Sequence, residues 1–406
     1  MVDMERERTV RVGIVRAETL RVFFHSAYQR NGETFIGECC FSLRDAGALF
    51  VPMAEGASFA LKDVTIGIGF HWERQEEQTF CGALELMEEG GQLRAVNVVP
   101  VETYLTSVIS SEMSANASLE LLKAHAVISR SWLLVMMDKR RQASARRKRG
   151  VESGAASVHE QVGEGSLIRW YDSEAHILFD VCADDHCQRY QGITRQVNPQ
   201  VEKAIAATRG QVLTYEGEIC DARFAKCCGG MTEVFETCWE NIRHPYLVAK
   251  PDPYCCTTDK RVLSQVLNNY DQETADFYRW TQTYTTAELT DLIRRKSGID
   301  FGQILDLQPL QRGASGRIVT LRIVGEKRSL VVGKELEIRK WLSESHLYSS
   351  AFEVEKTPDG FTLHGKGWGH GVGLCQIGAA VMGERGIPHT DILAFYYPQT
   401  ELTRKW

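Results

Sequence analysis

The sequence has no run of about 18 uninterrupted apolar residues, so no membrane-spanning helix is expected. Residues 1–10 hold no apolar stretch of the signal-peptide kind. The default expectation is therefore a cytoplasmic protein, reaching the cell envelope only if another route exports it. There is no basic excess: the net charge of −6 gives no general nucleic-acid signal. Neither a G-x-G-x-x-G fingerprint nor a P-loop occurs, which removes the commonest phosphate cradles. No Ser-His-Asp order and no internal repeat stands out.

What is present is an ordinary globular composition, 43% hydrophobic and 25% charged, over 406 residues. That length suits two or three domains. Twelve cysteines are many for such a chain, and three pairs are adjacent: Cys39–Cys40, Cys227–Cys228 and Cys255–Cys256. Without an export signal, reduced thiols are the default and metal binding is the usual reason for clustering; a disulfide framework is the rival.

Residues 9–15, 19–24, 34–41, 80–86 and 93–99 alternate apolar and polar with turn signals between them, as antiparallel strands do. Helical spacing begins near Val101 and covers 101–113 and 118–137, with Asn116 or Ser118 available as a cap. Residues 138–164 read as a break, because a basic run from Lys139 to Arg149 is usually a solvated loop. Strand-like segments are expected at Ile193 and 211–215, with a helix over 199–208. Beyond them come a helix over 286–297, strands near 317–324 and a helix over 375–386. A last helical turn reaches Tyr396 and Tyr397. The fold class is α+β, with a β-rich region over 1–94. A mixed α/β core covers 95–250 and 346–406, with an insertion or small subdomain over 251–345.

Residues 365–378 place glycine at every second position from Gly365 to Gly373. On an extended chain one face would be bare and the other would carry Lys366, Trp368, His370 and Val372. Such a run needs a ligand or second backbone close by, or unusual dihedrals.

Glu112 sits at a junction between two helices, where partial desolvation raises a carboxyl pKa and suits a general acid. Arg130 follows Lys123 by seven residues on one helix face, and an inward cation wants a carboxylate or a substrate oxygen. His176, Cys182 and Cys187 are candidate zinc ligands, with His186 competing. Cys220, Cys227, Cys228, Cys238, Cys255 and Cys256 allow a second metal site or disulfides, and sequence does not choose. A Cys375–His370 pair is a weaker alternative.

Three blocks come in a familiar order: 101–113 with 122–132, 206–217 with 229–232 and Trp239, and 367–379 with Ile392, Leu393 and 396–398. Together they resemble the SpoIID/LytB family over roughly residues 95–400. That family includes lytic transglycosylases acting on peptidoglycan and enhancers of cell-wall amidases. The resemblance implies Glu112 as catalytic acid, with Arg130 in the active site to orient substrate or hold Glu112. It implies zinc on His176, Cys182 and Cys187. It offers Trp368, His370, Gln376 and Tyr397 as glycan contacts. The implied partners are peptidoglycan glycan strands and a cell-wall amidase, with no nucleic acid and no membrane span. The chain departs from the pattern at His125, commonly Gln, at Cys227 and at Gln399, often Gly. The implied activity is a carbon–oxygen lyase. A non-catalytic wall-binding enhancer is the second reading, and intracellular handling of recycled wall fragments fits the missing export signal.

Overall fold

The computed structural model describes residues 6–66, 74–114, 116–148, 158–171, 176–184, 187–194, 199–266 and 277–406. It is a mixed α and β structure with more strand than helix. The alternating N-terminal segments form β1 (Thr9–Ala17), β2 (Thr19–Arg30), β3 (Glu33–Ser42), β4 (Leu49–Pro52), β5 (Ser58–Ile66), β6 (Arg74–Cys81), β7 (Ala83–Glu89) and β8 (Gln92–Pro100). They join one nine-stranded sheet, whose inner face buries Phe24, Phe41, Phe50, Phe59 and Phe80. The expected strand over 80–86 is really the meeting of β6 and β7. Gly82, at φ +85° and packed against the Val98 carbonyl, turns the chain between them.

α1 (Val101–Glu112) follows β8 directly, and α2 (Leu119–Lys148) follows α1. Ser118 is the cap: its hydroxyl accepts the Leu121 N–H at 3.3 Å. α2 overruns its expected end by eleven residues, so the basic stretch as far as Lys148 is helix rather than loop. Lys, Arg, Gln and Ala are good helix formers, and tertiary ion pairs hold the extension. Asp138 pairs with Arg8, Lys139 with Asp221 and Arg140 with Asp180. α3 (Pro199–Ala207) and the strand Gln211–Tyr215 lie where expected, but Ile193 is in a turn rather than a strand. Its amide donates to the Thr79 carbonyl, an edge bond too isolated to make a ladder.

The apolar faces of α1, α2, α3 and the C-terminal helices Gln376–Glu384 and His389–Tyr396 share one core with the sheet. A second core gathers Leu167 with residues from Trp280 to Leu363. Its five-stranded sheet runs Ile304–Arg312, Ile318–Gly325, Ser329–Gly333, Ser166–Tyr171, Val158–Gly163, so part of the expected break supplies strands. The helix Thr286–Ser297 begins with a Thr285–Glu288 capping box and ends at left-handed Gly298, a complete set of local stop and start signals. Among the described residues no helix is long and apolar enough to cross a membrane.

The two cores meet along the glycine run, which is not a strand with one bare face. Gly367, Gly369, Gly371 and Gly373 all take left-handed φ between +72° and +85°. Arg317, fully buried, donates to the Gly369 carbonyl from Nε at 3.1 Å and Nη2 at 2.9 Å. A Cβ on Gly371 would overlap that guanidinium, and one on Gly367 would stand 2.8 Å from the Cys227 carbonyl. The glycines admit protein atoms, an arginine and a second backbone, where the sequence offered a ligand as one alternative.

Candidate functional site

Glu112 is the last residue of α1 and is half-buried. The Arg189 amide donates to its Oε1 at 3.3 Å. Arg189 lies on the segment 187–191, which is clamped to the same face: Gln191 N–H donates to Ser107 Oγ at 3.2 Å, and Tyr190 hydroxyl to Asn97 at 2.6 Å. That segment opens with Cys187. His176 Nε2 or Nδ1 and the sulfurs of Cys182 and Cys187 all lie within 4.8 Å of one another. Cys187 Sγ is 3.5 Å from His176 Nε2. The fold sets this cluster by edge pairing: Val12 and Gly13 of β1 pair in parallel with Val181 and Cys182. Gly13 has to be glycine, because a Cβ there would stand 2.6 Å from the Phe179 ring. One imidazole nitrogen and two thiolates suit zinc and leave a fourth position open. His186, the competing ligand, lies outside the described residues.

Arg130 goes elsewhere. Its side chain is 0% exposed and its partner is Glu102, 7% exposed, with Nη2 to Oε2 at 2.6 Å and Nε to Oε1 at 3.1 Å. Nη1 donates to the Gln211 carbonyl at 2.9 Å. Glu102 Oε1 also accepts from Gly210 N–H and Trp406 Nε1, both at 2.9 Å. Arg130 therefore braces α1 against α2 and the strand after α3; its guanidinium is held by Glu102, not Glu112.

The four candidates from the third block separate. Trp368 is half-buried between Phe277 and Tyr348, ring centroids 4.6 and 5.0 Å away, with its backbone paired to Cys227. His370 meets the Trp239 ring at 4.8 Å, and its Nδ1 accepts the Val372 N–H. Burial, then Arg223, Arg317 and Arg339, push its pKa well below the usual histidine value, so it is a neutral acceptor. Tyr397 is fully buried, its hydroxyl donating to the Arg223 carbonyl at 2.6 Å and accepting the Leu374 N–H. Gln376 is buried too, 3.0 Å from His125 Nε2. Tyr397 and Gln376 are thus internal braces with no face for a glycan, a placement that corrects the expectation of contact. Cys375 does not meet His370 as a reactive pair; its sulfur joins Cys228, Cys255 and Asp252. None of the twelve cysteines is in a disulfide.

Several of these partners have no local signal. Glu102 is 28 residues from Arg130, Arg189 is 77 from Glu112, and Arg317 is 52 from Gly369. Asp252 had one: it precedes Cys255 by three residues, a common ligand spacing.

His125 yields a pH prediction. Burial, then Lys226, lowers its pKa to about 3. With Gln376 donating to Nε2, Nδ1–H faces Ser129 Oγ at 3.1 Å. An unfolded histidine binds its proton near pH 6.5 while the folded one does not, so stability falls as pH drops from about 6.5 toward 3. His125→Gln removes this term. Denaturant titrations of both proteins should show the acid loss between pH 7 and pH 4 shrinking by about 3 kcal/mol in the variant. Identical acid limbs would contradict it.

Residues 89–215 match the family model described as Stage II sporulation protein, and residues 233–373 match a domain of unknown function (DUF8618). The chain is 28% identical over 311 residues to stage II sporulation protein D of Bacillus amyloliquefaciens, covering 76% of each chain. To the protein of the same name from Bacillus subtilis it is 26% identical over 311 residues, again 76% of each. An amidase enhancer of Bacillus subtilis is 27% identical over 236 residues, 51% of this chain and 33% of that protein. With the blocks in family order, the Stage II sporulation protein model matched over residues 89–215 and these relatives, the chain is similar to the SpoIID/LytB family.

Proposed function

We propose that this chain is a peptidoglycan lytic transglycosylase that cleaves between N-acetylmuramic acid and N-acetylglucosamine with Glu112 as its single acid/base. One observation carries the reading: a half-buried carboxylate at the end of α1 is held by the backbone of the segment that starts at Cys187, a member of the His/Cys/Cys cluster. The family resemblance supplies the cell-wall substrate.

The chemistry needs one group acting twice, unlike the carboxylate pair of most glycosidases. Protonated Glu112 gives its proton to the bridging oxygen, which leaves as the GlcNAc hydroxyl. The carboxylate then takes the proton of the muramyl C6 hydroxyl. That oxygen bonds to C1, closing a 1,6-anhydro ring with no water consumed. The Arg189 N–H holds one carboxylate oxygen and leaves the other for the sugar. His176, Cys182 and Cys187 would hold zinc, whose chemistry when bound is that of a Lewis acid with an open position. Trp368 offers a half-buried ring edge beside the glycine run.

Purified protein incubated with stem-stripped glycan should release products with anhydro-muramyl ends by mass spectrometry. Absence of such ends overturns the proposal. The similarity to an amidase enhancer favours a second reading, a wall-binding module that stimulates an amidase. It predicts binding to sacculi with no new ends.

A further inference from the structure

Away from Glu112, three thiols from three distant segments converge. Cys228 lies just after the strand Phe224–Ala225, Cys255 in the loop that follows Asp252, and Cys375 at the start of the helix Gln376–Glu384. Their sulfurs and one Asp252 oxygen all lie within 4.8 Å of one another, and all four residues are buried. Cys228 Sγ is 3.4 Å from Cys255 Sγ and 3.2 Å from Asp252 Oδ2. Cys227 adds a further thiol in contact with Cys255 and Cys375.

The surroundings are those of thiolates. Cys228 N–H and Gly378 N–H point at Cys375 Sγ at 3.3 and 3.5 Å, and Gly230 N–H at Cys255 Sγ at 3.1 Å. Backbone donors aimed at sulfur stabilise its anion, as they do around metal-bound cysteine. Asp252 is oriented by neutral donors: Tyr254 N–H and Tyr396 hydroxyl, both at 2.9 Å, and Cys255 N–H at 3.3 Å. A buried carboxylate among thiolates calls for a cation. Tetrahedral zinc with sulfur at about 2.3 Å sets its ligands roughly 3.5–4 Å apart, within the range these atoms span. A disulfide requires sulfurs about 2.05 Å apart and would leave the third thiol and the carboxylate unused.

We propose that Cys228, Cys255, Cys375 and Asp252 form a buried structural site for a zinc-class divalent ion, separate from the His176 cluster. Its place in the fold gives it a task. Phe224 and Ala225 pair in parallel with Leu374 and Cys375, and Glu233 bridges to Val372. The unit matched over 233–373 thus leaves and rejoins the SpoIID core at this point. Cys228 stands just before it and Cys375 just after it, while Asp252 and Cys255 belong to it. The ion fastens the neck of the inserted unit to the core.

The test uses the full chain carrying His176→Ala and Cys182→Ala, so that the first cluster contributes no metal. After exhaustive dialysis, elemental analysis should find about one zinc per chain. Adding Cys228→Ser and Cys255→Ser should bring it below about one fifth of that. Because substitutions in a buried cluster can unfold the chain, zinc-edge X-ray absorption on the protein with all four ligands intact gives an independent readout. It should show about three sulfur neighbours at roughly 2.3 Å. Failure of the first protein to retain zinc, a sulfur-free edge, or a Cys228–Cys255 disulfide in non-reduced peptide maps would each overturn the site. Glycan cleavage is not a readout, so the outcome leaves the reading of Glu112 untouched.

Discussion

Glu102→Ala is expected to lower the unfolding free energy by about 3–5 kcal/mol. The substitution leaves a guanidinium with no exposed surface facing only the carbonyls of Gln211 and Ala126. It also strands the Gly210 amide and the Trp406 indole N–H, which donate to the same carboxylate. Removing one partner of a buried pair is worse than removing both, because the remaining charge keeps its full desolvation penalty. Arg130→Met combined with Glu102→Leu should therefore recover a large part of the loss. Urea unfolding followed by intrinsic fluorescence measures all three proteins. If Glu102→Ala shifts stability by less than about 1 kcal/mol, the brace is not what holds α1 to α2. A substrate-binding Arg130 predicts the opposite pattern, lost activity with unchanged stability.

Glu112→Gln should reduce anhydro-product formation by about 10²- to 10⁴-fold, the usual worth of a positioned acid/base. Glutamine keeps the shape and the carbonyl that accepts the Arg189 N–H, so the local hydrogen bond survives while the transferable proton does not. The glutamate is half-exposed at a helix end, so stability should move by no more than about 0.5 kcal/mol. Both numbers matter. Full activity in the variant removes Glu112 from the mechanism, and lost activity with an equal loss of stability makes it a structural residue.

Reading the chain alone located what depends on short spacings. His176, Cys182 and Cys187 span 11 residues, and β1 has only to align Cys182 for the three to meet. The helix over 286–297 carries its own cap and stop, and it begins and ends as its sequence says. Gln399, a departure from the family's glycine, still adopts the left-handed φ of 66° that glycine would favour. What sequence misplaced depends on distant partners. The basic half of α2 looked like a loop because its anchors, Arg8, Asp180 and Asp221, lie on other elements. Arg130 looked available for substrate because Glu102 is on the preceding helix. Tyr397 and Gln376 looked like ligand contacts because a motif fixes which residues recur, not which way they face. The alternating glycines signalled crowding correctly, and only the structure names Arg317 as the occupant.

The Glu102 carboxylate collects its donors from residues 28, 108 and 304 positions away along the chain. During synthesis, α1 and α2 leave the ribosome long before Gly210 and far longer before Trp406. Until residue 406 emerges, the buried pair lacks its indole donor and the strand Glu401–Arg404 has not closed on Gln211–Tyr215. Closure of this core therefore waits on residues 401–406, and the nascent chain carries an incompletely covered α1–α2 surface until they emerge.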